Sequence, residues 1–334
     1  MTDTTRIPAR PPITSGAVWR ADDVGPPEAW TCELNEVARD AIVTAVASMR
    51  TRGVTIVSAS RQDLALPELA EHLEASTREL RDGRGFVLVR GFPVDRLDPD
   101  GIELAYFALG LQFGRPVSQD ARGTLLGHVR DAGVSRTGPT IRRYATNKRQ
   151  DFHTDGADII GLLCLQRSRH GGESRIVSAA AVYNEILRRD PAALDVLYAP
   201  MYWDRNGEEA SGEAPYFALP VLSDVMGRPR FFYIGWYITD AQRHSDVPRL
   251  TDEQLGAMRL IEDIANAPTF HIEMDFQPGD IQLLNNSVIL HAREAYEDDP
   301  DPTRRRHLLR LWLAAHDFAA VDEILRNGIP VREN

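Results

Sequence analysis

Cysteine is scarce in this 334-residue chain. Cys32 and Cys164 are its only two, too few and too far apart for a disulfide framework, which points to a reducing compartment. Positive charge is also short: 38 Lys and Arg face 49 Asp and Glu, for a formal charge of −11, so no basic face is left over for nucleic acid or an anionic membrane. No apolar run approaches the roughly 18 residues of a membrane span, and Met1–Pro12 lacks the apolar core of an export signal. The cytoplasm is therefore the expected compartment. Internal repeats and low-complexity blocks are missing too. These absences leave a chain long enough to bury a sizeable core and suited to a small-molecule partner, with homo-oligomerisation left open.

Residues 1–30, rich in Pro, Thr and Gly, read as an irregular arm, and 31–334 as a single catalytic domain with helical insertions. Leu34, Ala38, Ala41, Ile42, Ala45 and Met49 repeat at helical spacing. Further helices are expected at Pro67–Leu80, at Asp98–Phe113 with Asp98 as cap, at Ala179–Arg188 behind Ser178, from Asp190-Pro191 onward, and from the capping box Thr251-Asp-Glu-Gln254 to about Ala267. Short apolar runs at 85–91, 159–165, 175–178, 270–276, 280–284, 288–291 and 307–313 read as strands, and Phe231–Trp236 is aromatic and β-prone. The 114–144 stretch shows little periodicity and reads as long loops of the kind that cover sites. Many short strands late in the chain imply an α+β, mainly β protein: a sandwich or barrel buttressed by helices, not a βαβ fold.

The chemistry is concentrated at Gln150-Asp-Phe-His153-Thr-Asp155-Gly. A His and a carboxylate two residues apart project to one side of an extended segment, so both reach one metal ion. Nine histidines and 49 acidic residues predict that spacing a little over once by chance, yet it occurs four times, at His72/Glu74, His153/Asp155, His244/Asp246 and His271/Glu273. Context must choose. His291, closing the run Val288-Ile-Leu-His, is the best third ligand, and two histidines with one carboxylate suit Fe(II) while leaving coordination sites open. Arg306 and Arg310 fall on one face of a strand with Leu308 and Trp312, and His307, Leu309, Leu311 and Leu313 on the other. Two inward guanidinium groups are costly unless each meets an anion, which argues for a dicarboxylate cosubstrate.

Taken together, Gln-Asp-Phe-His153-Thr-Asp155-Gly, Gly171-Gly172-Glu-Ser174, His291-Ala-Arg and Arg305-Arg306-His-Leu-Leu-Arg310-Leu-Trp resemble the taurine dioxygenase (TauD/TfdA-like) family of Fe(II)/2-oxoglutarate oxygenases over about residues 85–315. The resemblance implies a double-stranded β-helix, or jelly roll, of the clavaminate synthase-like kind. It implies Fe(II) held by His153, Asp155 and His291, 2-oxoglutarate held at its distal carboxylate by Ser174 and Arg306, and Arg310 near substrate. It also implies hydroxylation of an unactivated C–H of a small anionic or zwitterionic metabolite by O2, with release of succinate and CO2. Asp155 stands where a halogenase of this type has a small residue, which favours hydroxylation over halogenation. The chain departs from the pattern in having Ser174 in place of Thr and in a Gly-Gly turn that comes sooner after the iron pair. Tyr144, Asn147 and Gln150, just ahead of the motif, are placed to line the substrate pocket.

Plainer roles compete for each residue. His153 and Asp155 would otherwise be a surface His beside a turn-capping Asp, Arg306 part of a solvated run facing Glu297-Asp298-Asp299, Arg310 a structural ion pair, and Ser174 a turn residue. At the level of the whole protein the alternatives are a non-catalytic cupin-like binder of metal or acid, a zinc hydrolase using the triad, and a dioxygenase of the same type that desaturates or cyclises its substrate.

Overall fold

In the computed structural model, residues 10–133, 143–225, 227–318 and 329 are described; the first nine residues of the expected arm, part of the 114–144 loop and most of the C-terminal tail lie outside them. The architecture is two β-sheets packed face to face with helices on both outer faces. The larger sheet runs, in spatial order, Thr31–Glu33, Phe86–Arg90, Ile281–Asn285, Ile159–Gln166, His307–Ala315 and Gly114–Pro116, with Leu126–Val129 also on His307–Ala315. The smaller runs His271–Met274, Ser174–Ser178, Ile289–Arg293 and Gln150–His153.

Alternation along the strands explains the layers. Leu309, Leu311 and Leu313 turn outward from the larger sheet with Val87, Val89, Leu163 and Leu283, and bury against helices Glu36–Thr51, Pro67–Arg81 and Pro99–Phe113. Leu308 and Trp312, on the opposite face, join Phe86, Ile160 and Leu284 to meet Ile176, Met274 and Ile289 of the smaller sheet. Val177, Leu290 and Ala292 turn outward again, to Ala179–Arg189, Pro191–Tyr198 and Asp252–Ala265. Arg306 and Arg310 therefore enter the space between the sheets, the orientation the alternation predicts.

The expected helices form with their caps: Asn35 accepts from the Ala38 N–H, Asp98 from Gly101, Ser178 from Ala181, and Thr251 and Gln254 close a capping box. Other expectations change. Within Phe231–Trp236 the strand ends at Phe231, and Trp236 sits on the helix Gly235–Asp240, since Gly235 interrupts the run. The described part of 114–144 holds two short strands, Gly114–Pro116 and Leu126–Val129, too brief for periodicity to show. Residues 10–30 are irregular but packed, with Trp19 and Trp30 5.3 and 5.7 Å from Phe86, and they lead into Thr31–Glu33, which pairs in parallel with Leu88–Arg90. No helix among the described residues is long and apolar enough to cross a membrane.

Candidate active site

The smaller sheet sets the first two groups side by side. His153 and His291 are directly opposed partners on antiparallel strands, with ring centroids 4.2 Å apart. Just past His153 the chain is pinned from two sides. Thr154 donates its N–H to the Tyr233 carbonyl at 2.7 Å and accepts from the Tyr233 N–H at 2.9 Å. The Asn286 side chain accepts from the Asp155 N–H at 2.9 Å and donates to the carbonyls of Asp155 and Ala157. The Asp155 carboxylate is thereby turned back toward the imidazoles.

His153, Asp155 and His291 are all buried, and their candidate ligand atoms lie within 4.8 Å of one another; among the described residues this is the only such cluster of three. Their details fit a bound cation. His153 donates from Nδ1 to the Asp151 carbonyl at 2.8 Å, which fixes the tautomer and leaves the Nε2 lone pair free. His291 Nδ1 has no hydrogen-bond partner among the described residues, and its Nε2 lies 3.9 Å from Asp155 Oδ2. Burial pushes both imidazoles below their ordinary range, His291 to about 3, so both are neutral and able to ligate at neutral pH. Burial works against a charged Asp155, but Arg310, helped by the Trp312 N–H, outweighs it and holds the carboxyl below the ordinary range. Arg310 Nη1 lies 3.3 Å from Oδ2, and Trp312 Nε1 donates to the same oxygen at 2.9 Å.

A pH dependence follows for the metal-free protein. Unfolded, His291 takes up a proton at its ordinary value of 6.5, and folded only at about 3, so between these values the unfolded chain binds the extra proton. Stability therefore falls as pH drops through that window, by about 1.4 kcal/mol per unit from this group. In urea unfolding of metal-free protein at pH 7 and pH 5, wild type should lose roughly 2 kcal/mol more than His291→Gln over the step. Parallel losses would contradict it.

The rival pairs diverge. His244 Nε2 contacts Asp204 at 2.9 Å while Asp246 accepts from the Tyr216 hydroxyl; His72 lies against Cys32 while Glu74 pairs with Arg78; His271 contacts the Ala265 carbonyl while Glu273 pairs with Arg175.

Around the triad opens a cavity of about 450 Å³, counting its mouth, whose wall includes Ser174, Arg306, Arg310, Tyr144 and Gln150. Arg306 is turned inward, away from the acidic 297–299 loop; only its backbone N–H reaches that loop, donating to Asp298 at 2.8 Å. Arg306 is 5% exposed; its guanidinium makes one long contact to the Gly172 carbonyl at 3.5 Å and lies 5.1 Å from the Tyr296 ring, and Nη1 has no hydrogen-bond partner among the described residues. Burial pushes its pKa down. A buried cation with so little compensation is expensive, so this wall suits an anion. Ser174 lines the same wall, its hydroxyl 3.1 Å from Gln282 Nε2. Arg310 stacks on Tyr144 at 4.7 Å and donates from Nε to Gln119 at 2.8 Å. Asn147 is not among the lining residues; its backbone carbonyl accepts from the Tyr296 N–H at 3.1 Å.

Sequence reasoning passed over Trp312, Asn286 and Gln119, and gave Arg293 no role although it stands two residues after His291. Trp312 alone carried a signal, since it shares the face of Arg306 and Arg310. The others act through contacts with remote segments that no spacing reveals.

A jelly roll with two imidazoles, one carboxylate and an unpaired buried arginine in one cavity defines a class: non-haem iron oxygenases that take a keto-acid cosubstrate. The sequence profile of the "Taurine catabolism dioxygenase TauD, TfdA family" matches residues 50–312, and the chain belongs to that family. It is an Fe(II)- and 2-oxoglutarate-dependent dioxygenase that uses O2 on a small-molecule substrate. FR-33289 synthase of Streptomyces rubellomurinus is 32% identical over 90% of this chain and 90% of that one. Two solved structures share the fold: asparagine oxygenase with Fe(II), 2S,3S-3-hydroxyasparagine and succinate, at TM-score 0.66 and 18% identity over 85% of this chain and 93% of the other, and the non-haem iron oxygenase OrfP with Fe and alpha-ketoglutaric acid, at 0.65 and 15% over 85% and 94%.

Proposed function

We propose that His153, Asp155 and His291 hold the iron, that Arg306 with Ser174 holds the distal carboxylate of 2-oxoglutarate, and that the enzyme hydroxylates an unactivated C–H of a small anionic or zwitterionic metabolite in the cytoplasm. The observation that carries this reading is the unpaired, buried Arg306 guanidinium in the same cavity wall as the three ligand side chains. When bound, iron with the keto acid and O2 supplies the oxidation: the cosubstrate loses CO2 to become succinate, with one oxygen atom going to each product.

The protein's residues do the rest. Arg310 and Trp312 keep Asp155 ionised and oriented, so it offers a full negative charge to the metal. The Asp151 carbonyl holds His153 in the ligating tautomer. Val129, Leu162 and Leu308 give the cavity an apolar lining that excludes water from a strong oxidant. Arg310, Tyr144 and Gln150 form the part of the wall left for substrate, and the guanidinium suits an acidic group there. The net charge of −11 supports a small molecule rather than nucleic acid or an anionic membrane as partner.

Screening amino acids, sulfonates, aryloxy acids and natural-product intermediates for stimulated succinate release tests the reading. The expected hit is an acid converted to a product heavier by one oxygen, in step with succinate. Stimulation confined to compounds with no acidic group would overturn the substrate class, and a product lighter by two hydrogens would overturn hydroxylation.

A further inference from the structure

Arg293 lies in the cavity wall and has no task in the chemistry above. It is 5% exposed. Its Nη2 donates to the carbonyls of Thr146, at 2.8 Å, and Lys148, while Nε and Nη1 have no hydrogen-bond partner among the described residues. Its Cζ stands 4.8 Å from the Tyr296 ring, and the same ring has Arg306 Cζ at 5.1 Å. Two buried guanidinium groups thus share one aromatic ring. Each faces the other's charge in a low-dielectric setting, held by the ring and by carbonyl dipoles.

The carbonyls that Arg293 grips belong to the segment running from Arg143 to Gln150, directly into the His153 strand. That segment is fastened to the Arg293–Tyr296 stretch at a further point, the Tyr296 N–H to the Asn147 carbonyl, and it carries Tyr144 onto Arg310. We infer that Arg293 is a positioning residue: it couples occupation of the Arg306 anion site to the seating of residues 143–150 over the cavity. An anion at Arg306 cancels the repulsion that otherwise works against Arg293, so its hold on Thr146 and Lys148 tightens. The reverse follows by linkage, since a seated segment favours the anion by the same factor. This inference rests on the reading of Arg306 as the cosubstrate site.

Hydrogen exchange over residues 144–150 tests it, using the full chain loaded with Fe(II) under argon and titrated with 2-oxoglutarate. In wild type, saturating 2-oxoglutarate should slow exchange in this segment about tenfold, and in Arg293→Met the slowing should vanish while the dissociation constant for 2-oxoglutarate rises by a comparable factor. Arg293→Lys keeps the charge, but its ammonium ends one bond short of the Nη2 that reaches both carbonyls. By the same linkage its protection and its affinity should both stay close to those of the Met variant, and it remains informative if the Met variant misfolds. If 2-oxoglutarate binds with an affinity that depends on Arg306, yet protection is the same in wild type and both Arg293 variants, the coupling is wrong and the Arg306 reading stands. If Arg306→Met leaves the affinity unchanged, that reading falls and the coupling falls with it.

Discussion

Arg306→Met should raise the 2-oxoglutarate concentration needed for half-maximal turnover by two to three orders of magnitude while leaving the metal-free fold intact or slightly firmer. The two halves have one cause. In the absence of an anion, the guanidinium has one long contact, the Tyr296 ring at 5.1 Å and a nitrogen with no partner among the described residues, so its desolvation is only partly compensated and methionine removes that cost. With a carboxylate in place, the same group supplies paired charge-assisted hydrogen bonds, and truncating one partner of such a pair costs about 2–5 kcal/mol. Urea unfolding and the cosubstrate dependence of succinate formation measure the two halves separately. A variant that loses stability in step with cosubstrate affinity would mark Arg306 as a packing residue instead.

Asp155→Asn should abolish turnover and weaken Fe(II) binding by well over the roughly 10–100-fold that loss of an outer-shell partner costs. The change keeps the shape and removes the charge. It also strips Arg310 of its carboxylate at 3.3 Å, leaving a second uncompensated cation in the cavity. The metal-free variant should therefore be less stable than wild type, the opposite sign to Arg306→Met. Iron binding by anaerobic equilibrium dialysis checks the first effect, and retention of near-normal affinity would remove Asp155 from the ligand set.

The opposite signs show what could be read from the sequence. Along the strand His307–Ala315, strict alternation assigns Arg306 and Arg310 to one face and the leucines to the other, and the sheet obeys because a one-residue slip would drive the guanidinium groups into the apolar layer under the helices. The pairing of His153 with His291 was legible as a candidate because the i, i+2 spacing and a strand-ending His are local patterns. What Arg310 contacts was not legible. Its ion pair with Asp155 and hydrogen bond to Gln119 join residues 155 and 191 positions apart. The same holds for Asn286, which fixes the Asp155 backbone from 131 positions away, and for Arg293, whose partners are carbonyls that carry no residue signature. Trp236 misled for a local reason: an aromatic run favours a strand by propensity, but Gly235 opens a helix that sets the indole edge-on to His153 at 4.8 Å.

The proposed site holds iron and a keto acid side by side, one by His153, Asp155 and His291 and the other by Arg306. Anaerobic titration of Fe(II)-loaded protein with 2-oxoglutarate, followed in the visible, addresses it directly, because a keto acid chelated to ferrous iron gives a weak charge-transfer band. The expected result is a saturable band in wild type, shifted to far higher 2-oxoglutarate in Arg306→Met and missing in Asp155→Asn. Stoichiometric iron binding with no band in wild type, or a band of unchanged strength in both variants, would contradict the account.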